Sequence, residues 1–281
     1  MKQLIINVTK GSTFLHQLNG KTKVMLFITS ILAIIMSFDL RIIAPLFIVY
    51  ILSLISLKPN WKVVLGLLGF ILIMQIFNLV LYWLVNPNIG AFYTDGKTTI
   101  LFHWGSSYLS LQTAFYLAVR LLKMITSFLA SLTFVFSITP GELAAGLYGL
   151  GMPYKFSTII SLALRYIPDI SRDYEAIQVA MQTRGLELDK RRLNPFKRLK
   201  ESIYILVPLV ITSFDRIGNI ANAMDLRAFG VQKNRTYYCE LEPTRYDHLF
   251  RTLAILGFVL SIAWIVARMI VPPTTWMWYP Y

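Results

Sequence analysis

Charge is the first thing this sequence lacks. Charged residues make up 15% of its 281 positions, against roughly 25% in an average soluble domain. A chain so poor in charge and 56% hydrophobic must place most of its length in lipid. Cysteine is nearly absent: Cys239 stands alone, which excludes a disulfide framework or a cysteine zinc site within the chain and reads as a free thiol in a reducing compartment. The histidines are His16, His103 and His248, too far apart in sequence and topology to share a metal. A phosphate loop is also missing. The nearest match, Asn19-Gly20-Lys21-Thr22, has Leu15 where the first glycine is needed and no strand before it. The first 23 residues are polar and mixed, without a short apolar core and cleavage site, so no removable signal peptide is expected.

What is present is a series of long apolar runs. A span of the hydrocarbon core takes about 20 mostly apolar residues. Val24–Phe38 and Ile42–Leu57 are split by Asp39 and Arg41 and read as a helical hairpin. A third span covers about Val63–Val85 and stops at Asn86-Pro87. Residues 86–110 form a loop in which Asp95-Gly96 suits a hairpin turn. The fourth span runs from Leu111 to Ile138 and carries Arg120 and Lys123, cations expected to face protein or water because lipid exposure costs a few kcal/mol. The last, about Leu249–Val271, ends at Pro272-Pro273, followed by an aromatic belt of Trp276, Trp278 and Tyr279.

The net charge is +13. In a soluble protein this would suggest nucleic acid, but no recognition motif accompanies it and no nucleic-acid partner is expected. In a membrane protein basic loops report orientation instead. Lys2, Lys10, Lys21 and Lys23 precede span one, and Lys58 and Lys62 separate spans two and three. Five spans with the N-terminus cytoplasmic and the C-terminus external satisfy every loop. The fold class is therefore all-α and polytopic, in a plasma membrane. It divides into a four-span region 1–137, a cytoplasmic domain 138–248, and a last span with its tail, 249–281.

Between Ile138 and Phe250 lie twelve of the fourteen acidic residues and fifteen Lys or Arg. A stripe at helical spacing runs through Phe156, Ile159, Ile160, Ala163, Ile167, Ile170, Tyr174, Ile177 and Met181, with Ser157, Ser161, Arg165, Asp169, Arg172 and Gln178 opposite. A second helix, about Glu201–Ala228, has Ile203, Leu206, Val210, Ile217, Ile220 and Met224 on one face. Pro168 and Pro208 are expected to kink them. Between them Lys190-Arg191-Arg192 and Lys197-Arg198-x-Lys200 read as a solvated turn near anionic headgroups.

Both helices end alike: Ala180-Met181-Gln182-Thr183-Arg184-Gly185 and Ala223-Met224-Asp225-Leu226-Arg227-Ala228. Arginine in a last helical turn suits the carbonyl end of the dipole, and Gly185 or Gly230 can supply the left-handed stop. Capping, however, requires neither the Ala-Met nor the duplication. Matched tips offering an adaptable methionine and a planar, bidentate arginine suit two similar grooves on a pseudo-symmetric partner pair.

Here the chain resembles a family. Ala163-Leu164-Arg165-Tyr166-Ile167-Pro168, then Glu175, then Arg184-Gly185-Leu186-Glu187, is similar to the transmembrane T component of energy-coupling factor transporters. Leu15-His16-x-Leu18-Asn19-Gly20-Lys21-Thr22-Lys23 resembles that family's segment before span one, with Asn19-Gly20-Lys21 where Asp-Pro-Arg is usual. Thr183-Arg184-Gly185 and Leu226-Arg227-Ala228 stand at its two Ala-Arg-Gly-type motifs. The resemblance implies a scaffold joining a substrate-binding membrane S component to two ATP-binding-cassette ATPases for uptake of vitamins or related micronutrients. It places ATPase coupling at Ala180, Met181, Thr183, Arg184, Gly185, Ala223, Met224, Leu226, Arg227 and Ala228. It places the S-component interface at Ile160, Ala163, Ile167, Ile170, Leu206, Val210, Ile217 and Ile220. No catalytic residue, metal or cofactor is implied.

Two other classes fit the sequence less well. A prenyltransferase-like enzyme would hold magnesium with Asp169 and Asp173, one turn apart, but arginines 165 and 172 lie within ion-pairing reach on the same helix. A self-contained secondary transporter would show repeated halves and broken membrane helices, and neither is visible.

Overall fold

The computed structural model describes residues 13–90, 99–104, 107–185, 195–231 and 242–270. Its helices are α1 (Phe14–Gln17), α2 (Gly20–Met36), α3 (Leu40–Leu57), α4 (Trp61–Val85), α5 (Leu111–Ser137), α6 (Pro140–Gly149), α7 (Tyr154–Thr183), α8 (Pro195–Leu226) and α9 (Arg245–Ile270). Polar caps start the apolar helices where the sequence supplies them. Asn19 accepts from the Lys21 amide at 2.9 Å, Asp39 from that of Arg41 at 2.9 Å, and Ser110 from that of Thr113 at 3.2 Å. Lys58 takes a left-handed conformation to end α3, which leaves Pro59 and Asn60 to turn the chain into α4.

The chain forms two compact units. One comprises the described residues of Ile5–Glu142 and Leu241–Tyr281, and so gathers α2, α3, α4, α5 and α9. Within it α2 packs against α9 and α5, and α3 against α5. Leu54, Val64, Leu129 and Leu132 form a buried core, and Phe27 stacks on Phe134 at 4.3 Å. The exposed side chains of α4 and α9 are overwhelmingly apolar: Leu65, Phe70, Ile73, Phe77, Leu256 and Leu260 among them. Faces of that kind suit lipid.

Among the described residues, five helical stretches can cross a membrane by length and composition: Leu40–Leu57, Trp61–Val85, Leu111–Ser137, Ser202–Leu226 and Arg245–Ala267. The set differs from the sequence reading by one exchange, since it takes in α8 and leaves out the 17-residue α2. At about 1.5 Å per residue α2 is about 26 Å long, and it lies in the same unit as the other apolar helices. α8 belongs to the other unit and carries Asp215, Arg216 and Asp225 within its apolar stretch.

That unit comprises the described residues of Leu143–Glu240 and contains α7 and α8, which pack on each other. Both helices run unbroken through Pro168 and Pro208. In the loop before α5, strand β1 (Ile100–Trp104) pairs antiparallel with β2 (Ser107–Ser110). The turn expected at Asp95-Gly96 lies outside the described residues.

Candidate functional site

The duplicated endings of α7 and α8 fold into the same local structure. At the first, the amide of Gly185 bonds to the Gln182 carbonyl at 3.0 Å, and Gly185 has φ of +92°. At the second, Ala228 bonds to the Asp225 carbonyl at 2.9 Å and Phe229 to that of Met224 at 3.0 Å. This is a Schellman ending. In both copies the arginine is the last residue before the left-handed turn and the methionine stands three before it. The motif therefore encodes a shape, with Arg184 and Arg227 exposed at the rim of the turn. At the second tip the left-handed residue is Ala228, with φ of +53°, ahead of Gly230.

One ion pair fixes how these tips are disposed. Asp173 of α7 accepts from the Arg216 guanidinium of α8. Tyr154, at the start of α7, meets Phe229, just past the end of α8, edge to face at 5.5 Å. The two contacts run in opposite senses along the helices, so α7 and α8 cross roughly antiparallel. Arg184 follows Asp173 by eleven residues, and Arg227 follows Arg216 by eleven. Each tip therefore stands about 16 Å of helix beyond the crossing, at opposite ends of the pair. The ion pair thus stands at the same sequence distance from each arginine.

This pair also corrects the sequence reading of the acidic turn. Asp169 does pair with Arg172, at 3.6 Å on an exposed surface, but Asp173 finds its arginine on α8. Both carboxylates that might have held a metal are thus engaged by guanidinium groups. Among the described residues, no three His, Cys, Asp or Glu side chains are grouped to hold a metal ion.

The residues expected to receive an S component lie on surfaces with much exposed apolar area. Ile167, Ile170, Leu206, Val210 and Ile217 are exposed, as is Ala163, while Ile160 and Ile220 are half-buried. The α8 face is wider than the sequence reading made it, because Tyr204, Val207, Ile211 and Phe214 are exposed beside it. Ile205 and Leu209, one turn apart, are buried on α8. At the start of α7 the pattern is reversed. Ser157, assigned to the polar side, is fully buried, while Phe156 and Ile159 are 62% and 60% exposed.

Arg120 and Lys123 resolve toward the interior of the helical bundle. The Arg120 guanidinium lies 3.8 Å from the centre of the Tyr82 ring on α4. Lys123 donates to the Ile35 carbonyl at 2.6 Å and lies over the Phe38 ring at 4.0 Å. Carbonyl and ring faces offset part of the cost of a cation at that depth.

A second polar cluster was not anticipated from the sequence. The Lys23 ammonium is buried and uses all three of its donors: Glu142 at 2.9 Å, the Ser137 carbonyl at 2.8 Å and the His16 carbonyl at 3.1 Å. Glu142 also accepts from the Thr139 amide at 3.2 Å, and its own amide reaches the Thr139 hydroxyl at 3.4 Å. Thr139-Pro140-Gly141-Glu142 is therefore a capping box with proline in the first helical position. Thr244-Arg245-Tyr246-Asp247 builds a related cap on α9. There Asp247 accepts from the Thr244 amide and from the Asn19 amide, both at 2.9 Å. Arg251 adds a bond to the Thr22 hydroxyl at 3.1 Å.

His16 completes this junction. Its Nε2 lies 3.1 Å from the Phe136 carbonyl, which only accepts, so Nε2 carries the proton and Nδ1 accepts from the Thr13 hydroxyl. Burial, and then the nearby Lys23 charge, hold its pKa below the usual histidine value. Gly20 is pressed against the same place: a Cβ there would sit 2.1 Å from the Glu142 carbonyl oxygen.

An apolar-helix bundle interrupted in sequence by a long helical segment with two matched basic tips defines the class, a multi-pass helical membrane protein. The comparisons give the class a family. The model of the CbiQ family, described as cobalt transport protein, matches residues 11–238, and the chain belongs to this family as a T component of the energy-coupling factor type. Among its curated relatives are three proteins named energy-coupling factor transporter transmembrane protein EcfT. That of Clostridium kluyveri is 28% identical over 262 residues, covering 90% of this chain and 93% of the relative. That of Lactococcus lactis is 26% identical over 268 residues, covering 90% and 94%. That of Brevibacillus brevis is 29% identical over 275 residues, again 90% and 94%.

Proposed function

We propose that this membrane component is the non-catalytic coupling scaffold of its transporter. Its unit of α7 and α8 would receive two ATP-binding-cassette ATPases, one at Arg184 and one at Arg227. The observation that carries this is the equal eleven-residue offset of each arginine from the Asp173–Arg216 crossing. A pair of ATPases related by a two-fold axis calls for two equivalent handles, and equal arms on crossed helices provide them. Each exposed guanidinium can bind carboxylates or backbone carbonyls in bidentate fashion.

The open apolar faces of α7 and α8 would cradle a substrate-binding S component, which chooses the vitamin or related micronutrient. Transmission then runs from ATPase closure, through the tips, to that face. The same reading keeps α8 at the cytoplasmic side, since Asp215, Arg216 and Asp225 would each cost a few kcal/mol in lipid. With α2 in the membrane, the N-terminus is cytoplasmic and the C-terminus external.

A self-contained transporter fits less well. The bundle holds a cavity of about 620 Å³ between α2, α3, α5 and α9. Of its ionisable lining groups, Lys23 is consumed by the junction and Tyr50 donates to Ser30. Neither is positioned to select a passing ion.

The test is the double variant Arg184→Glu/Arg227→Glu, assayed by recovery of ATPases on the tagged chain purified in mild detergent. Insertion in the membrane should be normal and ATPase recovery should fall at least tenfold, with uptake lost. Normal recovery together with normal uptake sinks the assignment. Polar substitution at Ile160 or Ile217 should instead reduce S-component recovery more than ATPase recovery.

A further inference from the structure

We propose that the first turn of α2, residues Asn19–Lys23, is the fulcrum on which the coupling segment is hung. Lys23 and Asn19 would act as positioning residues that carry its displacement into the membrane bundle. The inference rests on the coupling reading above and assigns it a mechanical path.

The segment leaves the bundle once and returns once. Its exit is the stretch from Ser137 to Glu142, and its return is Thr244–Asp247. In sequence these points lie more than a hundred residues apart, yet both are tied to the same turn of one helix. Lys23 holds the exit through the Ser137 carbonyl and the Glu142 carboxylate. The Asn19 amide holds the return through Asp247 at 2.9 Å, and Thr22 receives Arg251.

The α2 members of this clasp and their two acidic partners are sealed from solvent, and Arg251 is half-buried. Asn19, Lys23, Glu142 and Asp247 are 3%, 5%, 3% and 0% exposed, and Thr22 is fully buried. Gly20 closes the remaining gap, leaving no room for a side chain between α2 and the Glu142 backbone. Buried, fully satisfied charge pairs hold geometry more firmly than they add stability over apolar residues of similar size. The consequence is that exit and return cannot shift independently. A pull on the segment moves both with the foot of α2, and α2 packs along α9 and α5. A simple anchoring role would need only one such tie.

The test uses the full complex of this chain with its ATPases and S component, in lipid nanodiscs. Spin labels sit at Ile35→Cys on α2 and Asn222→Cys on α8 in a Cys239→Ser background. Their distance distribution is measured with and without Mg-ATP and vanadate, alongside ATP hydrolysis. Replacing the buried pair by Lys23→Met/Glu142→Gln keeps the side-chain sizes and the acceptor for the Thr139 amide, and removes both charges together. We expect this variant to assemble and hydrolyse ATP within about twofold of wild type while losing more than half of the nucleotide-driven distance change. An unaltered distance change overturns the proposal.

Hydrogen exchange on the wild-type complex gives a second measurement that needs no variant. Nucleotide should change amide protection at residues 19–23, 137–142 and 244–247 together. A response that bypasses residues 19–23 also overturns the proposal. A wild-type chain that recovers no ATPase would overturn the coupling reading itself, a distinct failure from either of these.

Discussion

The buried junction and the helix tips are built from the same kinds of residue and treat them oppositely. At the junction, Lys23 spends its three donors within the bundle and is 5% exposed. At the tips, Arg184 and Arg227 are exposed, and among the described residues neither has an ion-pair partner. Removing water from a cation costs several kcal/mol, which only good geometry recovers. A cation left in water has lost nothing and keeps its full capacity to bind something else. The contrast separates two uses of a cation: the junction fixes the chain to itself, and under the proposed function the tips are the docking groups.

The strongest way to break that contrast is to force the junction apart. Gly20→Ala introduces a Cβ 2.1 Å from the Glu142 oxygen, a clash with backbone that no rotamer relieves. We expect a loss of about 3 kcal/mol, read as a large drop in thermal midpoint of the detergent-purified protein. The matched change at a tip, Gly185→Ala, meets nothing within 4 Å and is strained only by its φ of +92°, so it should cost about 1 kcal/mol. Equal effects at the two sites would remove the distinction.

Acid should loosen the junction before it affects the tips. His16 has a folded-state pKa below its ordinary value, so between the two values the unfolded chain binds the extra proton and stability rises with pH. The contribution is complete above the ordinary value of about 6.5 and is lost as pH falls through the lowered one. His16→Gln, which cannot take up that proton, should flatten this part of the stability curve on thermal melts across that range. An unchanged slope would show that His16 stays neutral for reasons outside the junction.

Legibility in the sequence followed the same division. The apolar helices were readable because each needs only a long run and a polar cap, and α3, α4 and α5 begin within two residues of their expected starts. The tips were readable because the motif repeats and acts locally through its own helix end. The junction was not read, although Thr139-Pro140-Gly141-Glu142 and Thr244-Arg245-Tyr246-Asp247 both carry a Thr-x-x-acid signature. What no local rule supplies is the pairing of Lys23 with Glu142 across 119 positions. The Asp173–Arg216 crossing was missed for that reason as well, since an arginine on the same helix offered a nearer partner.

The smallest effect expected is at the second tip, and it separates the two copies of the motif. Ala228 holds φ of +53°, a region in which a Cβ crowds the following carbonyl, while the first tip places Gly185 there without that cost. Ala228→Gly should therefore relieve strain, less the extra freedom glycine gains in the unfolded chain, for a net gain of about 0.5 kcal/mol. The Schellman bonds of Ala228 and Phe229 to Asp225 and Met224 involve backbone alone and would persist. Under the docking reading Arg227 keeps its place at the rim, so ATPase recovery should be unchanged in Ala228→Gly while the thermal midpoint rises by a degree or two. If recovery falls instead, the methyl group of Ala228 is itself part of the docking surface, and the two tips are not equivalent handles.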